Sequence, residues 1–416
     1  MLRTALFAII LFADSSRGST GSNTGDENVG FTWSSGDRST WDILRSCLVI
    51  LLSCTWTVLH LNIPSPNQQS WVASRRKLKW MFVTIVAPEV TCSIALRQWL
   101  ESRAATVKMR ELDKSWTIVH SFYAAMGGYV LEREGLRVPL LMPEIITLLK
   151  ISRSSTKEDD GPPFALPPLT RDEIEDRSKS NEFAKLFTGI QIGWLAIQCI
   201  ARAVNRLPVS PLEITTVAYA LCTILAYFFW WHKPFDINIP TVVTYHGALP
   251  DSFKQASKGW VDRVNRQRVR MTTRIIVRGS QHSMFLNLVL PLFAFSAIFS
   301  VVHLIAWDFE FPTLQERNLW RSCSLMAVFA PMIIAISLQI ASIWDPAASD
   351  NEHNNRKRSV AAAPEIAALV IICYFFSIIT YAAARTALTF EVFYCLRSMS
   401  AKTYQTVKWV NYLPHV

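Results

Sequence analysis

A glutamate in the middle of an apolar stretch is the first residue of this sequence that could take part in chemistry. Ala87-Pro88-Glu89 interrupts residues 80–99, which are otherwise mostly apolar. Proline suits the first position of a helix and glutamate stabilises its positive end, so the triplet predicts a helix start. A charge at membrane depth costs about 2.5–3.5 kcal/mol, and such residues usually face a partner or a water-filled cavity. Glu89 is therefore a candidate ion or solute ligand, or alternatively an interface residue that only stabilises the helix end.

The second candidate is a group of polar and aromatic side chains at the two ends of an apolar stretch. Ser210, Pro211 and Glu213 have the types and spacing of a helix start with a capping box. Residues 214–231 carry no formal charge and are long enough to cross a bilayer. The aromatic rings that follow favour the headgroup level, and the charged residues beyond them are expected in water. The pattern predicts an interface anchor or, alternatively, a binding cluster.

The candidate functional residues of both stretches are Glu89, Arg97, Glu213, Trp230, Trp231, His232, Lys233 and Asp236.

Arg97 is included because it follows Glu89 by two helical turns in the same apolar stretch. We expect it to pair with an acid of the polar region that begins after residue 100. Such a pair more often supports structure than chemistry.

A basic segment lies between two apolar stretches, at residues 233–281. It contains nine Lys/Arg and three Asp. On a helix, its apolar side chains would share one face, which is typical of a helix that lies on a membrane surface. The expected partner is the bilayer, with anionic lipid headgroups bound by Lys258, Arg263, Arg266, Arg270 and Arg274. The alternative is a solvated face packed on neighbouring protein.

Other chemical motifs are not found in the sequence. The eight cysteines are scattered singly through apolar segments, which predicts buried free thiols rather than disulfides or a zinc site. There is no Gly-rich phosphate loop, no nucleic-acid motif, no serine nucleophile motif and no paired-aspartate motif. We therefore predict no metal, no cofactor and no nucleic-acid partner, and catalytic residues stay unknown.

The composition favours a membrane protein. Hydrophobic residues make up 50% of the 416 residues and charged residues 18%, with 15 Trp. These values are typical of polytopic membrane proteins rather than soluble enzymes. The formal net charge of +10 fits membrane-surface contact, because the basic residues lie beside apolar stretches.

The predicted fold class is all-α, a polytopic transmembrane helical bundle with amphipathic cytosolic helices. The apolar stretches that predict spans are residues 41–63, 183–204, 214–231, 284–306, 322–343 and 366–384, the last continuing toward residue 396. Residues 80–99 are broken at their midpoint, and the piece after the break is too short to span if it ends at residue 99. The positive-inside tendency favours a segment that returns to its own side, because the basic segment then lies in the cytosol. We predict six crossings plus a re-entrant segment, with seven crossings as the alternative.

The regions outside the bundle have their own expected roles. Residues 1–15 resemble a signal peptide, with Arg3 before a short apolar run, so the protein is expected to enter the secretory pathway. Residues 16–40 are Gly/Ser-rich and predict a disordered lumenal or extracellular tail. Residues 41–99 hold the first span and the broken segment, residues 100–182 predict a polar amphipathic helical region, and residues 183–396 form the bundle. Residues 397–416 predict a surface tail.

Several of these segments resemble an uncharacterised fungal family of multi-span integral membrane proteins with no assigned activity. The segments that carry the resemblance are CTWTVLHLNIPSP, the APE triplet at 87–89, FYAAMGGY at 122–129, IQIGWLAIQCIARAV, PLEITTVAYAL with WWHKPFDINIP, and WVNYLPH. They are spread over most of the chain from residue 41 onward. The resemblance implies a polytopic membrane protein, in the plasma membrane or an endomembrane, and brings no reaction or ligand with it.

Three functions remain open from the sequence. A transporter or channel-like protein for a small solute or ion is favoured by the broken segment with Glu89. A membrane-embedded enzyme acting on a lipid or an apolar metabolite would need an ordered acid and base within residues 100–182. A receptor or scaffold would fit the topology with seven crossings.

Overall fold

Helices make up most of the described part of the chain. The computed structural model describes residues 28–34, 38–64, 70–133, 136–154, 164–178, 182–245, 290–344 and 364–407. The α-helices in these ranges are α1 (Thr40–Thr57), α2 (Ser70–Val86), α3 (Pro88–Arg110), α4 (Ile118–Ala125), α5 (Met142–Ser154), α6 (Arg171–Arg177), α7 (Glu182–Val204), α8 (Pro211–Phe229), α9 (Leu290–Leu304), α10 (Leu314–Trp344) and α11 (Pro364–Tyr394). The strands in the same ranges are β1 (Asn28–Gly30), β2 (Tyr129–Arg133), β3 (Leu136–Pro139), β4 (Thr241–Val243) and β5 (Ser398–Ser400). The predicted all-α class is confirmed, although the prediction contained no strands.

Five helical segments of the described chain are long and apolar enough to cross a membrane. They are Phe183–Val204, Pro211–Phe229, Leu290–Asp308, Leu314–Ser337 and Ala368–Arg397. These segments correspond to the five stretches predicted from residue 183 onward. As predicted, α11 continues without interruption past the apolar stretch at 366–384. The number of crossings stays a prediction.

The first predicted span differs from the other five. The sequence predicts a helix over residues 41–63, but α1 ends at Thr57 and is not among the segments that meet the same criteria of length and hydropathy. The chain leaves the helix at Val58, whose carbonyl bonds with the ring of His60. One face of α1 is buried, with apolar side chains at a spacing of three and four that is typical of a helix, namely Ile43, Cys47, Ile50 and Cys54.

The path through α2 and α3 is broken at Ala87. This residue has φ −144° and ψ 75°, outside the helical region, and the two helices meet at 111°. Pro88 occupies the first position of α3, as predicted. The predicted end at residue 99 is wrong, because α3 continues to Arg110. Its 23 residues measure about 34 Å, so shortness no longer argues for a re-entrant segment. The geometry fits either a broken span or a re-entrant loop.

Residues 100–182 contain strands that the sequence does not predict. β2 pairs antiparallel with β3 and parallel with β4, and β4 lies within the predicted basic segment. The chain turns into β2 at Gly127, which has φ 88°, and at Gly128, where a side chain would collide with the ring of Tyr123. These strands pack with α4, α5 and α6 around a shared core that includes Met109, Trp116, Tyr123, Tyr129, Leu140, Ile145, Leu148 and Phe164. The strands are too short for the alternation that identifies a strand in a sequence.

The sequence predicts that a charged helix begins at a capping box of Thr170 and Glu173 and runs without a break into the apolar stretch at 183–204. The continuous helix is wrong. Thr170 and Glu173 form the expected capping box at the start of α6, but this helix ends at Arg177. Ser178 has an extended backbone, and its hydroxyl accepts a hydrogen bond from the amide of Phe235 at 2.8 Å. This side-chain bond offers the backbone an alternative to the helix.

The two ends of the described chain meet each other. β1 pairs antiparallel with β5, with Val29 opposite Met399. Arg202, which is buried, donates to the carbonyl oxygens of Thr403 at 2.9 Å and Gln405 at 2.8 Å. Thr40 bonds to the hydroxyl of Tyr404 at 2.9 Å. We call this set of contacts the end clasp. Because of it, residues 398–404 are packed against the bundle, and the predicted surface tail is wrong over these residues. The predicted disordered tail is likewise wrong over residues 28–30, which form β1.

Several predictions concern residues outside the described ranges. They are the signal peptide at residues 1–15, most of the tail at residues 16–40, the lipid-contact residues Lys258 to Arg274, and the end of the chain from residue 408.

Candidate functional site

The break between α2 and α3 is closed by side chains of two other helices. The last carbonyl groups of a helix have no partner within the helix. The hydroxyl of Tyr219, on α8, donates to the carbonyl of Ile85. The guanidinium of Arg385, on α11, donates to the carbonyl of Val86 at 3.1 Å. The break is therefore a defined joint, in which α8 and α11 replace the missing helical hydrogen bonds.

Glu89 lies on the other side of this joint and is 1% exposed. The hydroxyl of Tyr381, four residues before Arg385, donates to Oε1 of Glu89, and a terminal nitrogen of Arg385 lies 3.9 Å from Oε2. The acid is at the positive end of α3 and the base at the negative end of α2, so each charge also complements a helix dipole. We call Tyr219, Tyr381, Arg385 and Glu89 the joint cluster.

The pairing in the joint cluster is incomplete. Oε2 of Glu89 and Nε of Arg385 are buried and have no hydrogen-bond partner among the described residues. The distance of 3.9 Å between the two charges is longer than the usual hydrogen-bonded contact of about 2.7–2.9 Å. The two groups thus form an ion pair that retains unused hydrogen-bonding capacity inside the protein.

A cavity of about 50 Å³ lies against the joint cluster. This volume is several times the smallest void that holds a water molecule, about 10–15 Å³. Tyr219, Arg385, Thr215 and His303 line it, and most of its other walls are apolar. The ring of His303 contacts the carbonyl of Phe299 at 2.9 Å through Nδ1 and the Thr215 hydroxyl at 3.3 Å through Nε2. Because a carbonyl only accepts, Nδ1 carries the hydrogen and Nε2 of the neutral ring accepts from Thr215.

A second buried charge, Lys233, lies just beyond the C-terminal end of α8. Lys233 is 5% exposed, and none of the described carboxylates forms an ion pair with it. Its ammonium group donates to the carbonyl of His60, to the side-chain oxygen of Gln98 at 2.8 Å and to that of Asn62 at 3.4 Å. It also lies 4.8 Å from the ring centre of Trp230, which itself donates to Gln98 at 3.0 Å. We call His60, Gln98, Trp230 and Lys233 the lysine cluster.

The burial of Lys233 corrects the prediction that this side chain lies in water. The chain turns back after α8, with the amide of Lys233 donating to the carbonyl of Trp230 at 2.9 Å, and this turn directs the side chain inward. Burial lowers the pKa of Lys233 to about 7, and repulsion from Arg76 acts in the same direction. The amine is therefore able to gain or lose a proton near neutral pH.

Glu213 belongs to neither cluster. It closes the predicted capping box with Ser210 at 2.9 Å and pairs with Arg38, so it stabilises the start of α8. Trp230, at the far end of α8, follows Glu213 by seventeen positions, a distance of about 25 Å. The predicted candidates therefore lie in separate places rather than in one site.

The other predicted candidates lie at the surface or near it. Arg97 pairs with Glu101 at 3.1 Å, as expected for an acid of the following region, and this acid is more than half exposed. Trp231, His232 and Asp236 are exposed, which agrees with a position beyond the end of the helix. None of these side chains contacts the joint cluster in the described structure.

Sequence reasoning did not find Tyr219 or Tyr381. From the sequence, Arg385 is one of several charges near the ends of the apolar stretches, together with Arg202 and Glu391, and such charges are more often paired or at the interface than functional. The available signal was the spacing of Tyr381 and Arg385, which are four residues apart and therefore share a face of an apolar helix. Their pairing with Glu89, about 290 positions earlier, could not be derived from the sequence. Among the described residues, no group of His, Cys, Asp and Glu could hold a metal ion, and all eight cysteines are free, as predicted.

A comparison with protein families gives a match over nearly the whole chain. The model of a family described as "Family of unknown function (DUF8562)" matches residues 6–252 and 278–416. The chain belongs to this family. Membership of an uncharacterised family is thereby confirmed, whereas a fungal origin and a multi-span membrane architecture stay predictions. No curated protein and no solved structure matches the chain.

Proposed function

We propose that this protein is an integral membrane protein that moves a small solute or ion across the bilayer, as a transporter or a channel. The five apolar helical segments support its place in the membrane. So does the surface of α11, where four side chains that are all more than half exposed fall on one helical face, namely Leu369, Ile372, Phe376 and Ile379. Soluble proteins rarely leave such a face uncovered, and lipid chains would cover it.

The observation that carries the transport proposal is the joint cluster. Charged residues buried within membrane helices mark ion and solute pathways by default. Interrupted helices that present their ends to a buried site are a recurrent basis for such pathways. Glu89 combines both features, because it begins a helix at a break and faces Arg385 and Tyr381 of another apolar helix.

The enzyme alternative receives less support from the described residues. It needs an acid and a base held together within residues 100–182, and no Asp, Glu, Lys or Arg of the described part of this region is buried. Its buried histidine, His120, has both ring nitrogens engaged, with Thr117 and with the carbonyl of Leu169. The receptor alternative depends on the number of crossings.

The transport proposal is tested by flux through the purified protein in liposomes. Wild-type protein is expected to move at least one of protons, Na⁺, K⁺ or Cl⁻ faster than empty liposomes, and Glu89→Gln is expected to abolish this movement. Glu101→Gln is the matched control, because it removes a carboxylate of the same helix that only pairs with Arg97 at the surface. Equal flux in wild type and Glu89→Gln would contradict the role of Glu89, and no flux of any of the four ions would contradict their transport.

Topology is tested separately by inserting glycosylation sequons, since the chain has no Asn-x-Ser/Thr site of its own. One sequon is placed at residues 157–168 and another near residue 255. Six crossings with a returning α2–α3 pair leave both sites unglycosylated in the cytosol, with the basic residues near anionic lipid. Glycosylation at both sites would favour seven crossings and the receptor alternative.

A further inference from the structure

Arg385 has a second face that the joint cluster does not use. Its guanidinium is 4% exposed, bonds to the Val86 carbonyl and lies near Glu89, yet Nε has no hydrogen-bond partner among the described residues. The same side chain lines the cavity of about 50 Å³. A buried cation with an unused donor beside a void is an arrangement that an anion can complete.

The walls of the cavity restrict what could bind there. Phe299 packs against the guanidinium at 4.0 Å, and apolar side chains form most of the remaining surface. Thr215 and His303 add polar atoms at one side. The volume suits a single small ion rather than an extended organic anion, and the apolar walls suit an ion that sheds water easily. A monovalent halide such as chloride meets both requirements.

The charge balance of the site links this anion to a proton. Glu89 and Arg385 together are neutral, so an added anion would leave a net negative charge inside the protein, which is costly. A proton on Glu89 removes that charge and frees Arg385 for the anion, so the loaded site is again neutral. No covalent bond changes in this step, because one proton and one anion bind together and leave together.

We propose that the cavity beside Arg385 binds a small monovalent anion such as chloride together with one proton carried by Glu89. This inference rests on the proposed function for its role in transport, whereas the binding itself is testable without transport. The titratable groups that face the pair are Tyr381 of α11, Tyr219 and Cys222 of α8, His303 of α9 and Cys92 of α3. His303 is the competing proton acceptor, since it lines the same cavity.

The first experiment follows thermal unfolding of the purified full-length protein in detergent while chloride replaces gluconate at constant ionic strength. By linkage, wild-type protein binds chloride more tightly at about pH 5.5 than at about pH 7.5, by at most tenfold per pH unit for one linked proton. Glu89→Gln needs no proton, so at about pH 7.5 its apparent affinity for chloride is expected to be higher than that of wild type. Its affinity should not depend on pH.

Three further variants make the result specific. Glu89→Gln combined with Arg385→Gln removes both charges and should lose the response to chloride. Glu101→Gln should respond like wild type. His303→Gln should keep the pH dependence of the chloride affinity. If this variant loses that dependence, the proton is carried by His303 and the role of Glu89 is overturned. A Glu89→Gln protein whose unfolding ignores chloride would overturn the anion site.

Radiolabelled chloride uptake into liposomes then separates the inference from the proposed function. Uptake driven by an inward proton gradient, with sulfate as an excluded larger and divalent control, is expected for wild type. Chloride binding without any flux would sustain the anion site and reject transport of chloride. Flux of another ion with no effect of chloride would sustain transport and reject the anion site.

Discussion

In the joint cluster Glu89 meets a cation of another helix, whereas in the lysine cluster Lys233 meets neutral oxygen atoms of His60, Gln98 and Asn62. Both charges are almost fully buried. The first is balanced by a partner that always carries its charge, since arginine does not lose its proton in proteins. The second has no acid partner in the described structure and can balance itself only by losing a proton.

This difference predicts two kinds of behaviour. Removing the cation of the joint cluster leaves the Glu89 carboxylate stranded inside the protein, and a stranded charge is the most destabilising result of a single substitution. Glu89→Gln is less disruptive, because Arg385 keeps the Val86 carbonyl and the ring of Phe299 as partners. Removing the ammonium group of Lys233 leaves only neutral acceptors unsatisfied, which costs less. With no anion bound, the joint cluster should therefore respond to mutation and the lysine cluster to pH.

The largest expected effect is that of Arg385→Gln. It leaves Glu89 buried without its cation, at a cost of about 3–5 kcal/mol, so most of the folded protein should be lost. The measurement is the yield of monodisperse protein and the midpoint of thermal unfolding, followed with a thiol-reactive dye because six of the eight cysteines are buried. The double variant with Glu89→Gln should recover much of the loss, and a double variant no better than the single one would show that the two charges are not coupled.

Lys233→Met should have the second largest effect. The substitution keeps an unbranched side chain, one atom shorter than that of lysine, but removes the donors to His60 and Gln98. Unsatisfied buried acceptors cost about 1–3 kcal/mol, so the unfolding midpoint should fall at neutral pH, by less than in Arg385→Gln. An equal or greater fall would remove the distinction between the two clusters.

The pH dependence of stability should differ between wild type and Lys233→Met. Below a pH of about 7 the amine is protonated in the folded and the unfolded chain, and the cost of burying its charge is present in full. Above that pH the folded chain loses the proton while the unfolded chain keeps it, so this cost diminishes by about 1.4 kcal/mol per pH unit up to the ordinary lysine pKa. Unfolding midpoints between about pH 7 and pH 8.5 should rise in wild type relative to Lys233→Met. Parallel curves would contradict the lowered pKa.

The smallest effect is expected for Glu101→Gln. Its pair with Arg97 is an exposed contact at a spacing of four residues, which contributes about 0.3–0.5 kcal/mol. The unfolding midpoint should stay within error of wild type at low and at high salt. A loss comparable to that of Lys233→Met would mean that Arg97 has a buried role that its contacts do not show.

The sequence predicts the apolar helices well because their signal is local. Long runs without charge define the five segments from residue 183 onward, and Pro88 with Glu89 marks the break before α3. Glu89 is also visible as a candidate in the sequence, because it is a charged residue within an apolar stretch. The capping boxes at Thr170 and Ser210 are likewise visible as residue types at fixed spacing.

The parts that the sequence does not predict depend on contacts between distant residues. The inward turn of Lys233 requires acceptors from residues 60 to 98, and the parallel pairing of β2 with β4 joins positions more than a hundred residues apart. The sequence does not predict that α3 extends to Arg110, because the charges after residue 100 suggest a boundary. Charged residues such as Glu, Lys and Arg are nevertheless good helix formers, so the helix continues beyond the apolar stretch. The pairing of Glu89 with Tyr381 and Arg385 is also a contact between residues that are far apart in the sequence.

The end clasp places a condition on how the chain is made. β1 cannot pair with β5, nor Thr40 with Tyr404, until the ribosome has synthesised the chain as far as residues 398–404. Arg202 likewise waits for the carbonyl groups of Thr403 and Gln405. During synthesis β1 therefore stays without its partner strand while every later described helix is made, and a chain that stops before residue 398 leaves β1 unpaired with β5 permanently.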